Sequence, residues 1–463
     1  MAQVKAASGD HWSSRIAFLF AAVGSSVGLG NFWRFPYEAG ANGGSAFVLL
    51  YVVAVLLLGA PILMAELFVG RRGGGSAIGS IARVAKESGA SPIVASFWTL
   101  AGWCGIVASF CVLSFYGVIA GWIIAYIVTF LTGALKGASP ETVAALFEAL
   151  LANPGRMAFF QALFMGMTVL IIARGLKGGI ETAVDILMPT FFIMLIGITI
   201  AVCWIGDAGA AAEFLLTPDF SKITPDVVAA AVGQAFFSIG LGSAIMYAYG
   251  AYMTKDLNIP RSGAIIIASD TFVAMIAGFA IFPLVFAFGL DPAGGPGLLF
   301  VTLPIAFAQM PFGMVLGAVF FFLALFAALT SAISLLEAMT ALGAEHGHNN
   351  RPAISIGTGL VCYILGIGSV LSFNVLKDFH PLGFLPLFEG QGVLDMLDTL
   401  TSRILMPLSG FITALFAGWA VTREAAKDEL SFLSPWGFQV WRFLVRFIAP
   451  TALFIVILHG LTN

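Results

Sequence analysis

The order of apolar and polar residues along this chain is that of a protein that crosses a membrane many times. A helix needs about 17–25 mostly apolar residues to span a bilayer. Eleven stretches meet this requirement, and we number them segments 1 to 11. They cover approximately residues 15–37, 43–70, 93–132, 157–175, 182–206, 228–253, 262–289, 312–342, 352–373, 400–421 and 441–460. The pattern predicts an all-α polytopic membrane protein with about eleven transmembrane helices.

Lysine and arginine are distributed unequally between the two sets of loops. Fifteen lie on the side of the N-terminus: Lys5, Arg15, Arg71, Arg72, Arg83, Lys86, Arg174, Lys177, Lys255, Arg261, Arg351, Arg423, Lys427, Arg442 and Arg446. Four lie on the other side: Lys136, Arg156, Lys222 and Lys377. Cytoplasmic loops carry the excess of these residues. We therefore expect a cytoplasmic N-terminus in the inner (cell) membrane and, after eleven spans, a C-terminus outside.

Composition supports the membrane class and excludes others. Of the 463 residues, 60% are hydrophobic and 10% are charged, against roughly 25% charged in soluble proteins. The net charge of -3 and the lack of a basic tail argue against nucleic acid as a partner. The polar N-terminus has no small-residue cleavage site, so we expect no cleaved signal peptide. No disulfide framework is expected, because all four cysteines fall in apolar segments.

Two segments contain nearly the same hexapeptide. Residues 26–31 of segment 1 are SVGLGN, and residues 238–243 of segment 6 are SIGLGS. An offset of five segments makes the copies enter the membrane in opposite directions, which defines an inverted repeat. The predicted organisation is a single transmembrane domain with a first repeat at about 12–207, a second at about 227–422 and an extra helix at about 441–460.

The glycines of the hexapeptides have an alternative interpretation. Small residues four apart, such as Gly24 and Gly28, also allow close packing of membrane helices. Packing does not explain why the same motif recurs in both segments, whereas glycine-interrupted spans at matching positions indicate a transporter's central site. A dinucleotide fingerprint is excluded, because no strand precedes the glycines and GxGxxG is incomplete.

Unwinding of both helices at these motifs would have a chemical consequence. It would leave backbone groups without intrahelical partners, which a membrane tolerates only where protein, water or ligand satisfies them. Half-helix N-termini favour a carboxylate, while half-helix C-termini and free carbonyls favour Na⁺ and an ammonium group. The predicted site therefore suits a zwitterion together with a cation.

The stretch GSSVGLGNFWRFPYEAGANGGSAFVLLY resembles the neurotransmitter:sodium symporter family, whose bacterial members have the leucine-transporter fold. Further matching stretches are GAPILMAELFVGR, LLTPDFSKI, VGQAFFSIGLGSAIMYAYGAY, FVTLPIAFAQMP and LFAALTSAIS. The resemblance runs from about Trp12 to the end of segment 10, and segment 11 is compatible with it. It implies a 5+5 inverted repeat with unwound helices 1 and 6, and a sodium-coupled amino-acid symporter rather than an enzyme.

The resemblance implies two sodium ions. One would be bound by the carbonyls of Gly24, Val27 and Ala327 and by the hydroxyls of Thr330 and Ser331. In isolation, hydroxyls in a membrane helix more often bond to the preceding helical turn. The other ion would be bound by the Ser26 carbonyl, Asn31, Ser238, Asp270 and the substrate carboxylate.

Asp270 departs from the asparagine found in many family members. An ionisable residue within a span is a functional-site hypothesis by default, with a snorkelling helix-end charge as the alternative. Chloride-dependent relatives bind the anion at positions that match Tyr51, Gln234, Ser238 and Ala274, the last being a serine there. Because Ala274 lacks that hydroxyl and Asp270 supplies negative charge, we expect chloride-independent transport. Asp270 is also a candidate for proton exchange.

The resemblance places the substrate between segments 1, 3, 6 and 8. Gly28 stands where monoamine carriers have an aspartate, which favours a substrate with its own carboxylate. Gly240 and Ser243 replace bulkier residues of the leucine-type pocket and should admit larger neutral or hydrophobic side chains, including aromatic ones. The implied contacts are Ser25, Ser26, Leu29, Gly30, Val112, Tyr116, Phe237, Ser238, Gly240, Ser243, Ser331 and Leu335.

Gates are implied on both sides of the site. Outside, Arg34 and Asp398 would form an ion pair above an aromatic lid of Tyr116 and Phe237, although Arg34 alone is also consistent with snorkelling. Inside, Trp12, Tyr252 and Glu345 match gate positions, while Gly9 replaces the usual arginine and Lys5 is a possible substitute. Glu66 and Glu337 also lie in apolar segments, and we expect structural roles for them.

Other function classes find less support. The five histidines lie in loops or at segment ends, which argues against a membrane enzyme. A channel would show a repeated pore loop or charged rings, and we find neither in this sequence. A binding-only receptor and a proton-coupled amino-acid transporter on the same fold remain open alternatives, and the sequence leaves the oligomeric state open.

Overall fold

Nine helices of the computed structural model are long and apolar enough to cross a bilayer, within the described residues 11–293, 297–345 and 350–462. They are segment 2 (Ser45–Gly73), segment 3 (Pro92–Leu131), segment 4 (Pro154–Ala173), segment 5 (Leu176–Ile205), segment 7 (Ile259–Ala287), segment 8 (Gly313–Glu345), segment 9 (Arg351–Leu371), segment 10 (Val393–Ala420) and segment 11 (Pro435–Gly460).

The two remaining predicted segments are broken. Segment 1 consists of Arg15–Ser26 and Gly30–Ala41, which are bent by 42° relative to each other. Segment 6 consists of Pro225–Ile239 and Ile245–Ala251, each too short to span a bilayer alone. Both interruptions begin within the repeated hexapeptides. The all-helical fold with unwound helices 1 and 6 is therefore confirmed.

Segments 5, 10 and 11 begin about six residues earlier than their apolar runs predict, and the added turns of segments 5 and 10 contain the acidic residues Glu181 and Asp398. In the folded protein these residues have partners. The Glu181 carboxylate accepts the Ser13 N–H at 2.8 Å, and Asp398 accepts from Arg34 at 3.1 Å. Hydropathy along one segment does not reveal a partner on another.

Short helices and turns cover the loops. They are Ala77–Glu87, Pro140–Leu151, Ala208–Leu216, Leu298–Gln309 and Arg423–Glu429, with 3₁₀ turns at Phe220–Lys222 and Pro386–Phe388. Aromatic rings join the outer loops to segment 3: Phe300 stacks on Phe147 at 5.4 Å, and Trp122 meets both edge-on. This packing fixes the loop between segments 7 and 8 over the outer end of segment 3.

Segments 3 and 8 form the centre of the bundle. In their most apolar stretches 89% and 78% of residues are buried, against 22–33% in segments 4, 5, 9 and 11. The latter segments therefore present most of the lipid-facing surface. The two broken helices lie against the central pair.

The inner half of segment 6 packs tightly on segment 2. A Cβ on Gly70 would collide with the Tyr247 backbone, and a Cβ on Gly250 with the Leu67 backbone. Small residues at such contacts let helix backbones approach closely in a membrane. This close contact fixes the inner half of segment 6 against segment 2.

The break in segment 6 should depend on Gly242. It has a φ of +73°, and a Cβ there would collide with the Met406 carbonyl. A non-glycine residue in this conformation costs roughly 1–2 kcal/mol before any collision. We expect Gly242→Ala to lower the thermal unfolding midpoint of the detergent-purified protein. Gly233→Ala is the control, because nothing lies within 4 Å of its added methyl group. Equal midpoints for the two variants would contradict this account.

Candidate functional site

The interruption of segment 1 redirects two backbone amides to side chains. The Gly28 N–H donates to Asn31 Oδ1 at 3.0 Å, and the Leu29 N–H donates to the Tyr116 hydroxyl at 3.2 Å. In a continuous helix these amides would donate to the carbonyls of Gly24 and Ser25. Those carbonyls are thereby released from the helical ladder at the centre of the protein.

The interruption of segment 6 is held from two neighbouring segments. Gly240, Gly242 and Ala244 all have positive φ, so the chain turns sharply between its two half-helices. The Gly242 N–H donates to Glu66 at 2.9 Å, and Ser109 donates to the Ser243 carbonyl at 2.5 Å. Glu66, which we expected to be structural, thus secures the unwound backbone from segment 2.

A cavity lies where the two interruptions meet. It is lined by all twelve residues that we predicted to contact substrate. It is also lined by Gly28, Ile245 and Met406, which sequence reasoning did not include among the substrate contacts. Ile245 directly follows the break in segment 6, so its position in the sequence could have indicated that it lines the cavity. Met406 lies in segment 10, and nothing in the sequence connects it with this site.

The lining of the cavity combines polar and apolar groups. The polar ones include Tyr116, whose hydroxyl accepts from the Leu29 N–H, and Ser25, whose buried hydroxyl has no partner among the described residues. The apolar ones include Val112, Leu335, Ile245 and Met406. Such a cavity can hold a small molecule with a polar head and an apolar side chain.

Asp270 is the centre of a buried polar cluster next to this cavity. The Asn31 amide donates to Asp270 Oδ1 at 2.9 Å, and Tyr51 donates to Oδ2 at 2.8 Å. The Ser238 hydroxyl lies 2.8 Å from Oδ1 and 3.0 Å from Oδ2. The salt bridges of the described part of the chain do not include Asp270. Its partners supply hydrogen bonds but no positive charge.

This cluster fits a monovalent cation chemically. It brings Asn31, Ser238 and Asp270 together, and these are three of the residues predicted for one sodium ion. Ser26, the fourth, ends the inner half-helix of segment 1 and lines the adjoining cavity. Oxygen ligands with one carboxylate are suited to a hard cation, and a buried carboxylate is stabilised by such a partner.

The other predicted ion position lies between segments 1 and 8. Gly24 faces Thr330: a Cβ on the glycine would lie 3.2 Å from Thr330 Cβ. The Thr330 hydroxyl donates to the carbonyls of Phe326 and Ala327 at 3.1 and 3.0 Å, the local bonding that is common in membrane helices. Its oxygen retains acceptor capacity.

One further contact and one backbone conformation concern this second position. Ser331 donates to the Ser25 carbonyl at 3.0 Å, which joins segment 8 to the interrupted part of segment 1. Val27 has extended backbone, so its carbonyl leaves the direction of the helix axis. The set of carbonyl and hydroxyl oxygens fits a cation without a fixed negative charge.

Two of the residues at the family's chloride positions bond to Asp270. Tyr51 and Ser238 both bond to its carboxylate, and Gln234 donates to the Gly30 carbonyl at 2.8 Å. Ala274 is buried one helical turn after Asp270. The side chain of Asp270 therefore supplies a negative charge to the hydroxyl donors.

Above the cavity, Arg34 connects three elements. It donates to Asp398 at 3.1 Å and lies 3.6 Å from Glu38. Its guanidinium stands 4.6 Å from the centre of the Phe237 ring, which lines the cavity. Arg34 is buried and paired, whereas a snorkelling arginine would extend to water.

On the other side of the cavity, Trp12 and Tyr252 contact each other but not Glu345. The backbone N–H of Trp12 donates to the Tyr252 carbonyl at 3.3 Å, and the Tyr252 hydroxyl donates to Glu337 at 2.6 Å. Glu337 also forms a salt bridge with Arg351. The structure therefore groups Glu337 with the two predicted gate aromatics, a contact that hydropathy did not reveal.

Glu345 lies elsewhere on the same side. It accepts from the Ser76 N–H at 3.0 Å and pairs with Arg83 at 2.7 Å, on the helix between segments 2 and 3. Lys5 and Gly9, the other positions considered for this gate, lie outside the described residues.

Comparisons with known proteins agree with this architecture. The model of the sodium:neurotransmitter symporter family matches residues 9–146 and 141–463. A sodium-dependent transporter of Bacillus subtilis, YhdH, is 40% identical over 97% of each chain. A sodium-dependent transporter of Haemophilus influenzae is 33% identical over 97% of this chain and 98% of its own.

Among solved structures, the crystal structure of MhsT in complex with L-phenylalanine is similar to this one. The TM-score is 0.89 and the identity 42%, over 98% of this chain and 100% of the other. The match extends through both interrupted segments and the long helices around them. The chain belongs to the sodium:neurotransmitter symporter family, and it is a sodium-dependent multi-pass membrane transporter rather than an enzyme.

Proposed function

We propose that this transporter imports neutral, hydrophobic amino acids, aromatic ones included, together with two sodium ions and without chloride. The observation that carries the proposal is the cavity between the two interrupted helices, whose lining combines polar groups with apolar side chains. The L-phenylalanine bound to MhsT supports the same substrate class.

The polar groups of the cavity account for recognition of a zwitterion. The Tyr116 hydroxyl and the N–H groups of Leu29 and Gly30 would bind the carboxylate, close to the Asp270 cluster. The ammonium group would meet the carbonyls of Ser26, Phe237 and Ser238. Because Gly28 contributes no carboxylate, a substrate amine without its own carboxylate would leave the cation beside Asp270 with less negative charge.

Asp270 accounts for the predicted independence of chloride. Its carboxylate already receives hydrogen bonds from Tyr51 and Ser238. One fixed negative charge next to one sodium ion needs no further anion. The second ion, between segments 1 and 8, would be bound by neutral oxygens of Gly24, Val27, Ala327, Thr330 and Ser331.

Transport would proceed by alternating access between the two paired regions. Opening the outer side would separate Arg34 from Asp398 and release Phe237. Opening the inner side would separate Trp12 and Tyr252 from the Glu337–Arg351 pair. Each charge moving through the membrane potential contributes about 2.3 kcal/mol per 100 mV, so two sodium ions can drive substantial accumulation of substrate.

The direct test is uptake of labelled amino acids into proteoliposomes. We expect accumulation of hydrophobic amino acids with an inward sodium gradient, none with potassium in its place, and no change when gluconate replaces chloride. Accumulation independent of sodium would favour proton coupling. Sodium-dependent binding without accumulation would favour a receptor.

Asp270→Asn should alter the coupling ion. Without the carboxylate, Tyr51 and Ser238 lose their negative acceptor, so we expect weaker sodium-dependent uptake or a new stimulation by chloride. The measurement is uptake against sodium concentration, with and without chloride. Asp185→Asn is the control, since Asp185 is exposed on segment 5. Unchanged sodium and chloride dependence would remove Asp270 from the ion site.

Met406 should limit the size of the substrate side chain. Shortening the Met406 side chain enlarges the cavity. Met406→Ala should therefore raise uptake of tryptophan relative to leucine by about tenfold, since one methylene is worth about 1–3 kcal/mol in such pockets. A ratio is measured because it is independent of the amount of folded protein. Met339→Ala, which changes a buried methionine of segment 8 outside the cavity, should leave the ratio unchanged.

A further inference from the structure

Three arginines lie near the end of segment 10 and the beginning of segment 11, on the side of the N-terminus. None of them lines the substrate cavity. Arg446 lies in segment 11, Arg442 lies one turn before it, and Arg423 begins the short helix that follows segment 10. The electrostatic neighbours of Arg442 are Arg446, Arg423 and one acid, Glu424. The cluster thus carries more positive than negative charge.

Arg446 is held in a fixed position. Its Nε donates to the Gly418 carbonyl at 2.5 Å, and its guanidinium lies 4.9 Å from the centre of the Trp419 ring. The Trp419 indole N–H in turn donates to the Arg446 carbonyl at 3.2 Å. Gly418 permits this approach, since a Cβ there would lie 2.9 Å from Arg446 Cγ. The charge is therefore pre-positioned rather than free to extend into water.

Arg442 is incompletely bonded. Its Nη1 is buried and has no hydrogen-bond partner among the described residues. The salt bridges of that part of the chain include neither Arg442 nor Arg423. A buried N–H of a charged group without an acceptor is costly. An anion at this position would satisfy the N–H and relieve the repulsion among the three arginines.

Two other arginines on the same side are paired with carboxylates. Arg71 pairs with Glu429 at 2.6 Å, and Arg72 pairs with Glu87 at 2.5 Å and with Asp428 at 3.1 Å. The protein therefore supplies carboxylates to interfacial arginines nearby. The electrostatic neighbours of Arg442, by contrast, are two arginines and one acid, Glu424.

An apolar aromatic surface adjoins the charges. Trp419 and Phe443 are each 54% exposed and Phe447 is 47% exposed. Phe447 packs against both other rings at 5.5 Å. Exposed aromatic rings next to basic residues at a helix end are typical of the boundary between headgroups and acyl chains. A free anion would use the arginines but would leave these rings without a partner.

We propose that Arg423, Arg442 and Arg446 bind the phosphate of an anionic phospholipid whose acyl chains lie on Trp419, Phe443 and Phe447. The bidentate geometry of guanidinium groups suits a phosphate. By the distribution of positive charge, the leaflet is the cytoplasmic one. The lipid joins the end of segment 10 to the beginning of segment 11, the helix outside the inverted repeat.

The test measures retained lipid by native mass spectrometry of the full-length protein in neutral detergent. The probes are dioleoyl phosphatidylglycerol, dioleoyl phosphatidylcholine and inorganic phosphate. We expect one phosphatidylglycerol to bind more tightly than phosphatidylcholine. Arg442→Gln should weaken its binding by about fivefold or more, the effect of one interfacial basic residue.

Two further variants complete the experiment. Arg423→Gln changes an exposed residue and should weaken phosphatidylglycerol binding even if Arg442→Gln does not fold. Arg174→Gln, an exposed arginine after segment 4 on the same side, should leave it unchanged. The proposal is overturned if all variants retain the lipid equally, if phosphatidylcholine binds as tightly, or if inorganic phosphate displaces the lipid at equal concentration.

Discussion

The structure depends on one constraint: backbone polar groups freed inside a membrane must find partners within the protein or in a ligand. Segments 1 and 6 are both interrupted, and each interruption is held by side chains, one from the same segment and the others from neighbouring segments. Asn31 and Tyr116 receive the amides of segment 1, while Glu66 receives an amide of segment 6. The groups that remain face a common cavity. The binding site is thus a consequence of how the broken helices are stabilised.

Buried charged side chains likewise depend on partners within the protein. Arg34 pairs with Asp398 above the cavity, and Glu337 pairs with Arg351 below it. Asp270 differs, since its partners are neutral hydrogen-bond donors. A buried carboxylate with neutral partners is most stable when a cation joins it. That difference distinguishes the paired charges from a carboxylate that is suited to a cation.

Close backbone contacts decide how the interrupted helices sit in the bundle. Glycines bring segment 2 against the inner half of segment 6, and Gly242 brings the interruption against Met406 of segment 10. The cavity therefore has a wall from segment 10 in addition to segments 1, 3, 6 and 8. One residue therefore has two contacts here: Met406 lines the cavity, and its carbonyl packs against Gly242.

The sequence by itself determined the class of the protein, the approximate positions of the spans and the two interruptions, because hydropathy and glycine motifs are local properties of the chain. The family motifs also identified twelve of the residues that line the cavity. Only the tertiary structure decided that Glu337 rather than Glu345 joins Trp12 and Tyr252, and that Met406 reaches the site. It also decided that segments 5, 10 and 11 begin earlier than their apolar runs. These features depend on contacts between residues far apart in the chain, such as Asp398 with Arg34, and a local pattern carries no information about such partners.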